Sequence, residues 1–539
     1  MMDVELNAWL LFEHAPRHFA DTEVVSRLAG GSTHRYTYAD FGRRAQQLMH
    51  ALDRLGLEKG ERVATLAWNG YRHLEAYFGI PCSERVLHTL NLRLSADELG
   101  YIIGHADDRA ILVDQDLVPL LEEVHAAGGL NGVKHVIVLG DSVSGSPVLP
   151  GLVAYEDLIA DEPDEYPRTE IPERTPYGLC YTSGTTGRPK GVVYEHRSTY
   201  LHALAVTSMS GMAIGSGDCT LPVVPMFHAV AWGMPHAATA VGAKQVFLGG
   251  SLEFDALVDL LVDERVTVTA GVPTVWLGAA EELEKRGAKL PDLRHIAVGG
   301  AQPPRALIER FIKDFEVPII QAWGMTETSP LASMAWPQNR FRDASHDELM
   351  DRVRSQAGLP IPGVEVTIRD DDGNDVPWDG ETMGDLLCRG PWVTESYLHG
   401  DGKEQFTDDG WFKTGDVAIG SPDGYFVIAD RTKDLIKSGG EWISSVDMEA
   451  AIMELPEVAE AAVVAIPDPK WQERPLACVV TKPDAELTLD SLRAHLEGSG
   501  FAKWQLPDRM ELIDEVPRTS VGKFDKKVLR ARFSEAGGA

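Results

Sequence analysis

The chain has 539 residues, 44% hydrophobic and 24% charged, with 82 acidic against 50 basic side chains and a formal net charge of −32. So large an acidic excess argues against a nucleic-acid binder, which needs clustered cations, and five scattered cysteines without a C-x-x-C pair argue against a disulfide framework or a structural zinc site. An acidic N-terminal stretch unlike a secretory signal, and no apolar run near the ~20 residues that span a bilayer, point to a soluble cytoplasmic enzyme.

In chain order, Thr37 to Gly56 predicts a helix. Thr37 and Asp40 are placed as a capping box, Phe41, Ala45, Leu48, Met49 and Leu52 form one apolar face, and Gly56 suits a C-terminal cap. Arg62 to Ala67 reads as a strand, with Asn69-Gly70 as a turn; Ser95 and Glu98 open a second helix containing Leu99, Ile102 and Ile103. Strands are predicted at Ala110–Val113 and His135–Leu139, and such alternation implies parallel sheets covered by helices. The Pro- and acid-rich stretch 161–176 reads as an exposed connection. From Gly358 short β-rich segments carry Asp-Gly turns at 372–373, 379–380, 409–410 and 423–424. Beyond Asp430 an α+β pattern returns, with a helix near Val446–Glu454, a strand near Ala461–Ile466 and a helix near Leu489–Leu496. The expected fold is therefore α/β: a large N-terminal domain (1–430) of parallel or mixed sheets covered by helices, with a small β-rich subdomain (358–430), then a small mobile α+β domain (431–539). The basic stretch Arg431-Thr-Lys433 is the candidate hinge.

The most informative segment is Tyr181-Thr-Ser-Gly-Thr-Thr-Gly-Arg-Pro-Lys-Gly191. Gly184, Gly187 and Gly191 permit close backbone approach. Thr182, Ser183, Thr185 and Thr186 add hydroxyl donors, and Lys190 adds a mobile positive charge. Such a run can present several N–H groups to polyphosphate oxygens. It is not a Walker A loop, because Arg-Pro-Lys follows Gly187 where that motif needs Lys-Ser/Thr, and it is not a Rossmann fingerprint. Its apolar flanks favour an ordered site over a surface loop.

This loop resembles the signature of the acyl-adenylate-forming superfamily, which contains acyl-CoA synthetases, luciferases and peptide-synthetase adenylation domains. The resemblance extends in order through Met226-Phe-His228, Gln321-Ala-Trp-Gly-Met-Thr-Glu327, Trp411-Phe-Lys-Thr-Gly-Asp416, Asp430-Arg-Thr-Lys-Asp-Leu-Ile-Lys-Ser-Gly-Gly-Glu441 and Pro517-Arg-Thr-Ser-Val-Gly-Lys523. It implies an acid–thiol ligase that uses ATP, Mg²⁺ and coenzyme A, joins a carboxylate to AMP, and then passes the acyl group to a thiol. The same resemblance assigns roles. Lys523 is the adenylation lysine, and Glu327, with Thr185, the Mg²⁺ ligand. Thr182 to Gly187, Lys190, Gly300-Ala301-Gln302-Pro303, Gln321-Ala322-Trp323-Gly324-Met325-Thr326, Asp416 and Arg431 hold the nucleotide. Asp416, after Lys-Thr-Gly, reads as a carboxylate aimed by a tight turn.

The pivot falls on Lys433, where many relatives have aspartate. By the same resemblance Lys437, Ser438, Gly439, Gly440, Glu441 and Trp442 would line the coenzyme A tunnel. His228, which gates the passage between acyl site and thiol tunnel, and Trp232 stand four apart and could share one helical face. With Gly300, Trp323 and Met325 they would wall an apolar pocket for a short or medium acid, and methionine tolerates a thioether. The stretches Val86-Leu-His-Thr-Leu-Asn91, Pro225 to Trp232 and Gln321 to Gly324 look most like the branch of medium-chain fatty acid and 3-(methylthio)propionate CoA ligases. The latter act in dimethylsulfoniopropionate catabolism. Glu84 departs from the small residue expected there. An adenylation enzyme loading a carrier protein, or a general medium-chain synthetase, is the alternative. The resemblance also suggests a homodimer and an acetyltransferase/deacetylase pair acting on Lys523, whose acetylation removes its charge. No nucleic-acid or membrane partner is expected.

Overall fold

The computed structural model describes residues 2–143, 146, 148–149, 151–182, 188–431, 434–438, 441–468, 470–483, 485–518 and 524–534. Two large sheets dominate. The first runs, edge to edge, Val153–Ala154, His135–Leu139, Asp108–Asp114, Arg62–Leu66, Val86–Thr89, Pro176–Tyr181 and Gly191–Glu195, parallel except at the last pair. The second is nine-stranded, with a parallel centre from Glu23–Arg27 to Ile319–Gly324 and antiparallel edges. Helices fill the space between them. Trp9, Phe12, Phe41 and Phe78 interlock there in edge-on and stacked contacts 5.5–5.8 Å apart, forming the centre of the largest core cluster.

Local sequence logic sets these helices. In helix Tyr38–Arg54 the Thr37 hydroxyl accepts from Asp40 N while Asp40 accepts from Thr37 N, and all five predicted face residues are fully buried. The same reciprocal cap joins Ser95 and Glu98 at helix Ala96–Ala106. Glu84 ends helix Tyr71–Cys82 with φ of 62°, the left-handed region where a small residue was expected, and its carboxylate is held by Lys59.

Two readings need correction. Asn69-Gly70, expected as a turn, instead leads straight into a helix: Gly70 is extended (φ −174°) and stands at the N-cap of Tyr71–Cys82. The 161–176 connection is not merely exposed. Ile171 is buried, its carbonyl accepts from Asn7 Nδ2 (3.0 Å), and Glu173 accepts from Leu6 N (3.1 Å), so the segment ties down the N-terminal stretch.

Glu365–Arg369, Met383–Arg389, Phe412–Gly420 and Phe426–Arg431 form a separate four-stranded antiparallel sheet. The glycine of each predicted Asp-Gly turn has φ between 82° and 88°. The last sheet contains Ile436–Ser438, Glu441–Ile443, Val458–Asp468, Gln472–Thr481 and Arg509–Leu512. It is packed by helices Ser445–Met453, Leu489–Gly498 and Lys526–Ser534. This is the expected order, a large α/β portion followed by a small α+β one. Across the junction, Asp430 Oδ2 accepts from Ser445 N (2.7 Å) and Oγ (2.5 Å), and Lys526 reaches Ser445 Oγ (2.6 Å) and Glu449 (2.7 Å). Among the described residues no helix is long and apolar enough to cross a membrane.

Candidate active site

Parallel sheets leave their ligand crevice beyond the carboxyl ends of the strands, and the main cavity lies there. Its volume is about 690 Å³. One end is charged. Thr182 N donates to Lys190 O (2.9 Å) and Lys190 N to Thr182 Oγ1 (3.3 Å), closing the base of the loop between strands Pro176–Tyr181 and Gly191–Glu195. Ser183, Gly184, Thr185, Thr186 and Gly187 lie outside the described residues. Lys190 borders the cavity, and its Nζ is paired with Glu404 at 3.2 Å.

Strand Ile319–Gly324 delivers Met325, Thr326 and Glu327 to the same end, the last two in a short 3₁₀ turn. Tyr194 OH donates to Thr326 O (2.9 Å), Thr394 N to Glu327 O (2.8 Å) and Tyr397 OH to Glu327 Oε1 (2.6 Å). Burial pushes the Glu327 carboxyl above the usual range, a shift that the Tyr397 bond and Arg431 oppose. Among the described residues no three acidic, histidine or cysteine side chains gather as a metal cage. A buried carboxylate at the same end as Lys190 nevertheless fits Mg²⁺, which takes most of its ligands from phosphate and water.

Asp416 stands on a β-bulge rather than the expected tight turn. Asp385 pairs with Val417 but Leu387 with Lys413, so Thr414, Gly415 and Asp416 together face Leu386. Gly415 has φ of 72°, and Thr414 Oγ1 donates to Leu386 O (2.7 Å). The bulge turns the buried Asp416 toward Trp323 Nε1, which donates to Oδ2 (3.0 Å), and toward Arg431, which pairs with Oδ1 (2.8 Å). Trp323 thus borders the cavity with its indole committed to Asp416.

The other end is apolar, bordered by Phe227, Trp232, Leu248, Leu252, Val272 and Val275. His228 and Trp232 both border it but do not share a right-handed helical face. Ala229, Val230, Ala231 and Trp232 have φ of 42–54°, a left-handed turn that leads into Gly233 at φ 75°. Each such residue costs roughly 1–2 kcal/mol, so the surroundings must hold the turn. Cys180, its thiol pushed up by burial, receives the N–H groups of Val230 and Ala229 and shares a hydrogen bond with Thr89 Oγ1 (3.2 Å). Gly299 passes opposite Trp232, where a Cβ would lie 3.1 Å from its ring, and Gly300 borders the cavity beside it. Ala301, Gln302, Pro303, Gln321 and Asp416 fall outside the cavity border; Gln302 Nε2 reaches Ser355 O at 3.5 Å, Gln321 lies buried in its strand, and Asp416 meets the cavity through Trp323 and Arg431.

Two residues carry the site without a signature in the sequence reading. Buried Asn69 donates from Nδ2 to Pro222 O and Val224 O (3.0 Å each) and accepts from Met226 N (2.6 Å), pinning the segment that carries His228. Its one legible clue was position, just past the carboxyl end of the strand Arg62–Leu66. Tyr397 lies 70 residues from the Glu327 it touches, and no local pattern marks it.

Residues 12–398 match the family described as AMP-binding enzyme, and residues 447–523 match its C-terminal domain. The chain belongs to the AMP-binding enzyme family. Full-length relatives agree. The "Long-chain-fatty-acid--CoA ligase" of Thermus thermophilus is 48% identical over 100% of this chain and 98% of its own. The "Medium-chain-fatty-acid--CoA ligase" of Ectopseudomonas oleovorans is 41% identical over 99% and 97%. The "3-methylmercaptopropionyl-CoA ligase" of Ruegeria lacuscaerulensis is 41% identical over 99% of each. Among solved structures, the anthranilate CoA ligase AuaEII with anthranoyl-AMP aligns at a TM-score of 0.88 with 25% identity, covering 100% of this chain and 99% of that one. ATP-bound MatB from Rhodopseudomonas palustris aligns at 0.84 with 25% identity, covering 98% and 99%.

In this AMP-binding enzyme the C-terminal residues divide. Ser438 is buried and accepts from Arg474 Nη1 (2.9 Å). Its strand pairs with Glu441–Ile443, Ser438 in register with Glu441 and Lys437 with Trp442. Ser438 does not border the cavity. Gly439, Gly440, Lys433 and Lys523 lie outside the described residues. Asp434 and Phe524, which follow the last two, do border it, and an antiparallel bridge joins Arg518 to Phe524.

Proposed function

We propose that this AMP-binding enzyme activates an unbranched carboxylic acid, 3-(methylthio)propionate or a short- to medium-chain fatty acid. The chain is an AMP-forming acid–CoA ligase using ATP, Mg²⁺ and coenzyme A. One observation supports the substrate reading: a single cavity joins a charged end at Lys190, Glu327 and Arg431, the last ion-paired to Asp416 behind the cavity border, to an apolar end closed by Trp232 against Gly299. Two anions, acid and nucleotide, must meet in it. In the first step a carboxylate oxygen bonds to the α-phosphorus as the bond to pyrophosphate breaks. In the second the CoA sulfur bonds to the acyl carbon, its proton is lost, and AMP departs.

Lys523 neutralises the charge that develops in the first step, and Lys190 draws the phosphates. Mg²⁺, when bound at Glu327 and Thr185, supplies further neutralisation of the polyphosphate. Asp416 accepts from the ribose hydroxyls and Arg431 fixes its orientation. Thr326 donates to the α-phosphate, and Gly300 to Pro303 lie along the adenine. Lys433 is the pivot between a body of residues 1–430 and a mobile portion of 431–539. Lys437 to Trp442 carry the thiol substrate. The same reading places the enzyme in the cytoplasm as a homodimer and makes Lys523 an acetylation target.

The 48% identical relative favours a second reading, long-chain acids. A coupled AMP-release screen over straight-chain acids of two to sixteen carbons plus 3-(methylthio)propionate decides between them. The expected maximum in kcat/KM lies at methylthiopropionate or at four to eight carbons; a maximum at twelve to sixteen assigns the second reading.

A further inference from the structure

Lys190, a cation, and Glu327, an acid, border one end of the same cavity, yet Lys190 is ion-paired to Glu404 and not to Glu327. Lys190 is partly exposed but Glu327 is buried, so attraction between them is screened less than between two surface groups. A flexible lysine would be drawn onto the carboxylate, leaving neither group available to a phosphate. Something holds them apart.

Tyr397 touches both. Its hydroxyl donates to Glu327 Oε1 at 2.6 Å, and the Lys190 ammonium sits over its ring, 5.2 Å from the centroid. The ring face offers a cation a favourable seat, while the hydroxyl engages the carboxylate oxygen that a lysine would otherwise take. Glu404, 70% exposed, draws Lys190 from the solvent side at 3.2 Å. The tyrosine itself is fixed: 5% exposed, its backbone bridged to Val192 and its ring set against Phe406 and Phe412 at 6.0 and 6.5 Å. The seat needs a glycine beneath it. At Gly402 a Cβ would lie 2.7 Å from Lys190 Nζ and 2.9 Å from the Tyr397 ring.

We infer that Tyr397 is a positioning residue that insulates the phosphate-loop lysine from the acidic group at Glu327, keeping both open to incoming nucleotide. The inference rests on the reading that this cavity binds ATP. Without the spacer, Lys190 and Glu327 pair and ATP must break that pair before it binds.

The test is calorimetric ATP binding to the full-length enzyme in EDTA, so that neither turnover nor metal affinity enters the readout. Wild type, Tyr397→Leu, Glu327→Gln and the double variant form a cycle, with thermal melts confirming folding. Tyr397→Leu is expected to weaken ATP about tenfold. Glu327→Gln is expected to strengthen binding at least fivefold more when combined with Tyr397→Leu than when made in wild type, because only in the combination does it release a captured lysine. Should the leucine variant not fold, Tyr397→Phe keeps the ring and frees Oε1, and a loss of about threefold that Glu327→Gln abolishes is expected. Additive effects, or wild-type affinity in either Tyr397 variant, overturn the inference. Failure of the unaltered enzyme to bind ATP overturns instead the nucleotide-site reading beneath it.

Discussion

The Trp68 segment shows how one side chain can set the border of the cavity at a cost in stability. Trp68 borders the cavity, and its N–H donates to Asp114 Oδ2 at 2.7 Å. Burial raises the Asp114 carboxyl to about 7, with the negative charge of Asp116 adding to the rise against the Trp68 bond. Between about pH 4 and about pH 7 the folded protein therefore holds a proton that the unfolded chain has lost, so this group lowers stability as pH rises through that window. Three pKa units correspond to ~4 kcal/mol at most, and solvent at the half-buried carboxyl reduces this to about 1–2 kcal/mol. Asparagine can still accept from Trp68 N without that burden. Asp114→Asn is expected to raise the urea midpoint at pH 8 by the equivalent of about 1–2 kcal/mol, with the advantage closing toward pH 4. An advantage of equal size at both pH values contradicts this account.

Among the elements, the left-handed turn 229–233 depends most plainly on its neighbours. Before Gly233 its residues are alanine, valine and tryptophan, none of which favours positive φ. Packing sustains it from three sides. Asn69 fixes the incoming strand end, Tyr77 OH donates to Met226 O, and His202 crowds Gly233, where a Cβ would lie 2.5 Å from the imidazole. Asn69→Ala removes three hydrogen bonds in a buried setting and leaves their partners unmet, a loss of about 2–3 kcal/mol. The expected result is a lower melting temperature together with a several-fold higher KM for the acid, while the KM for ATP stays within twofold. Equal rises in both KM values would show that the turn does not serve the acyl end in particular.

At the scale of the whole chain, the sheet of 436–512 with its helices supplies the elements flanking Lys523. Phe524 reaches the cavity of the large portion, while Ser438, on the strand pair 436–443, lies away from it. Under the proposed function the small portion presents different faces to the two chemical steps. Lys523→Ala is expected to abolish acyl-adenylate formation, measured as pyrophosphate release, yet largely to spare thioester formation from supplied acyl-adenylate. Comparable loss in both half-reactions refutes the division of labour.

Much of this was legible from residues alone because its physics is local. Thr37 with Asp40 and Ser95 with Glu98 close their caps within one helical turn, and the Asp-Gly pairs supply positive φ wherever they occur. The ordered motifs from Thr182 to Lys523 were legible in another way, through the family resemblance they carry together, which implies acyl-adenylate chemistry. What the linear pattern left undecided were contacts between distant segments. His228 and Trp232 have helical spacing, yet Asn69, Cys180 and His202 impose the opposite hand on the turn between them. Asp416 reads as a turn residue until the bulge against Leu386 shows a strand. Tyr397 has no local signature at all. Backbone propensity and capping act over a few residues and are written in sequence, whereas strain is tolerated, and charges are kept apart, only by neighbours that the folded chain brings together.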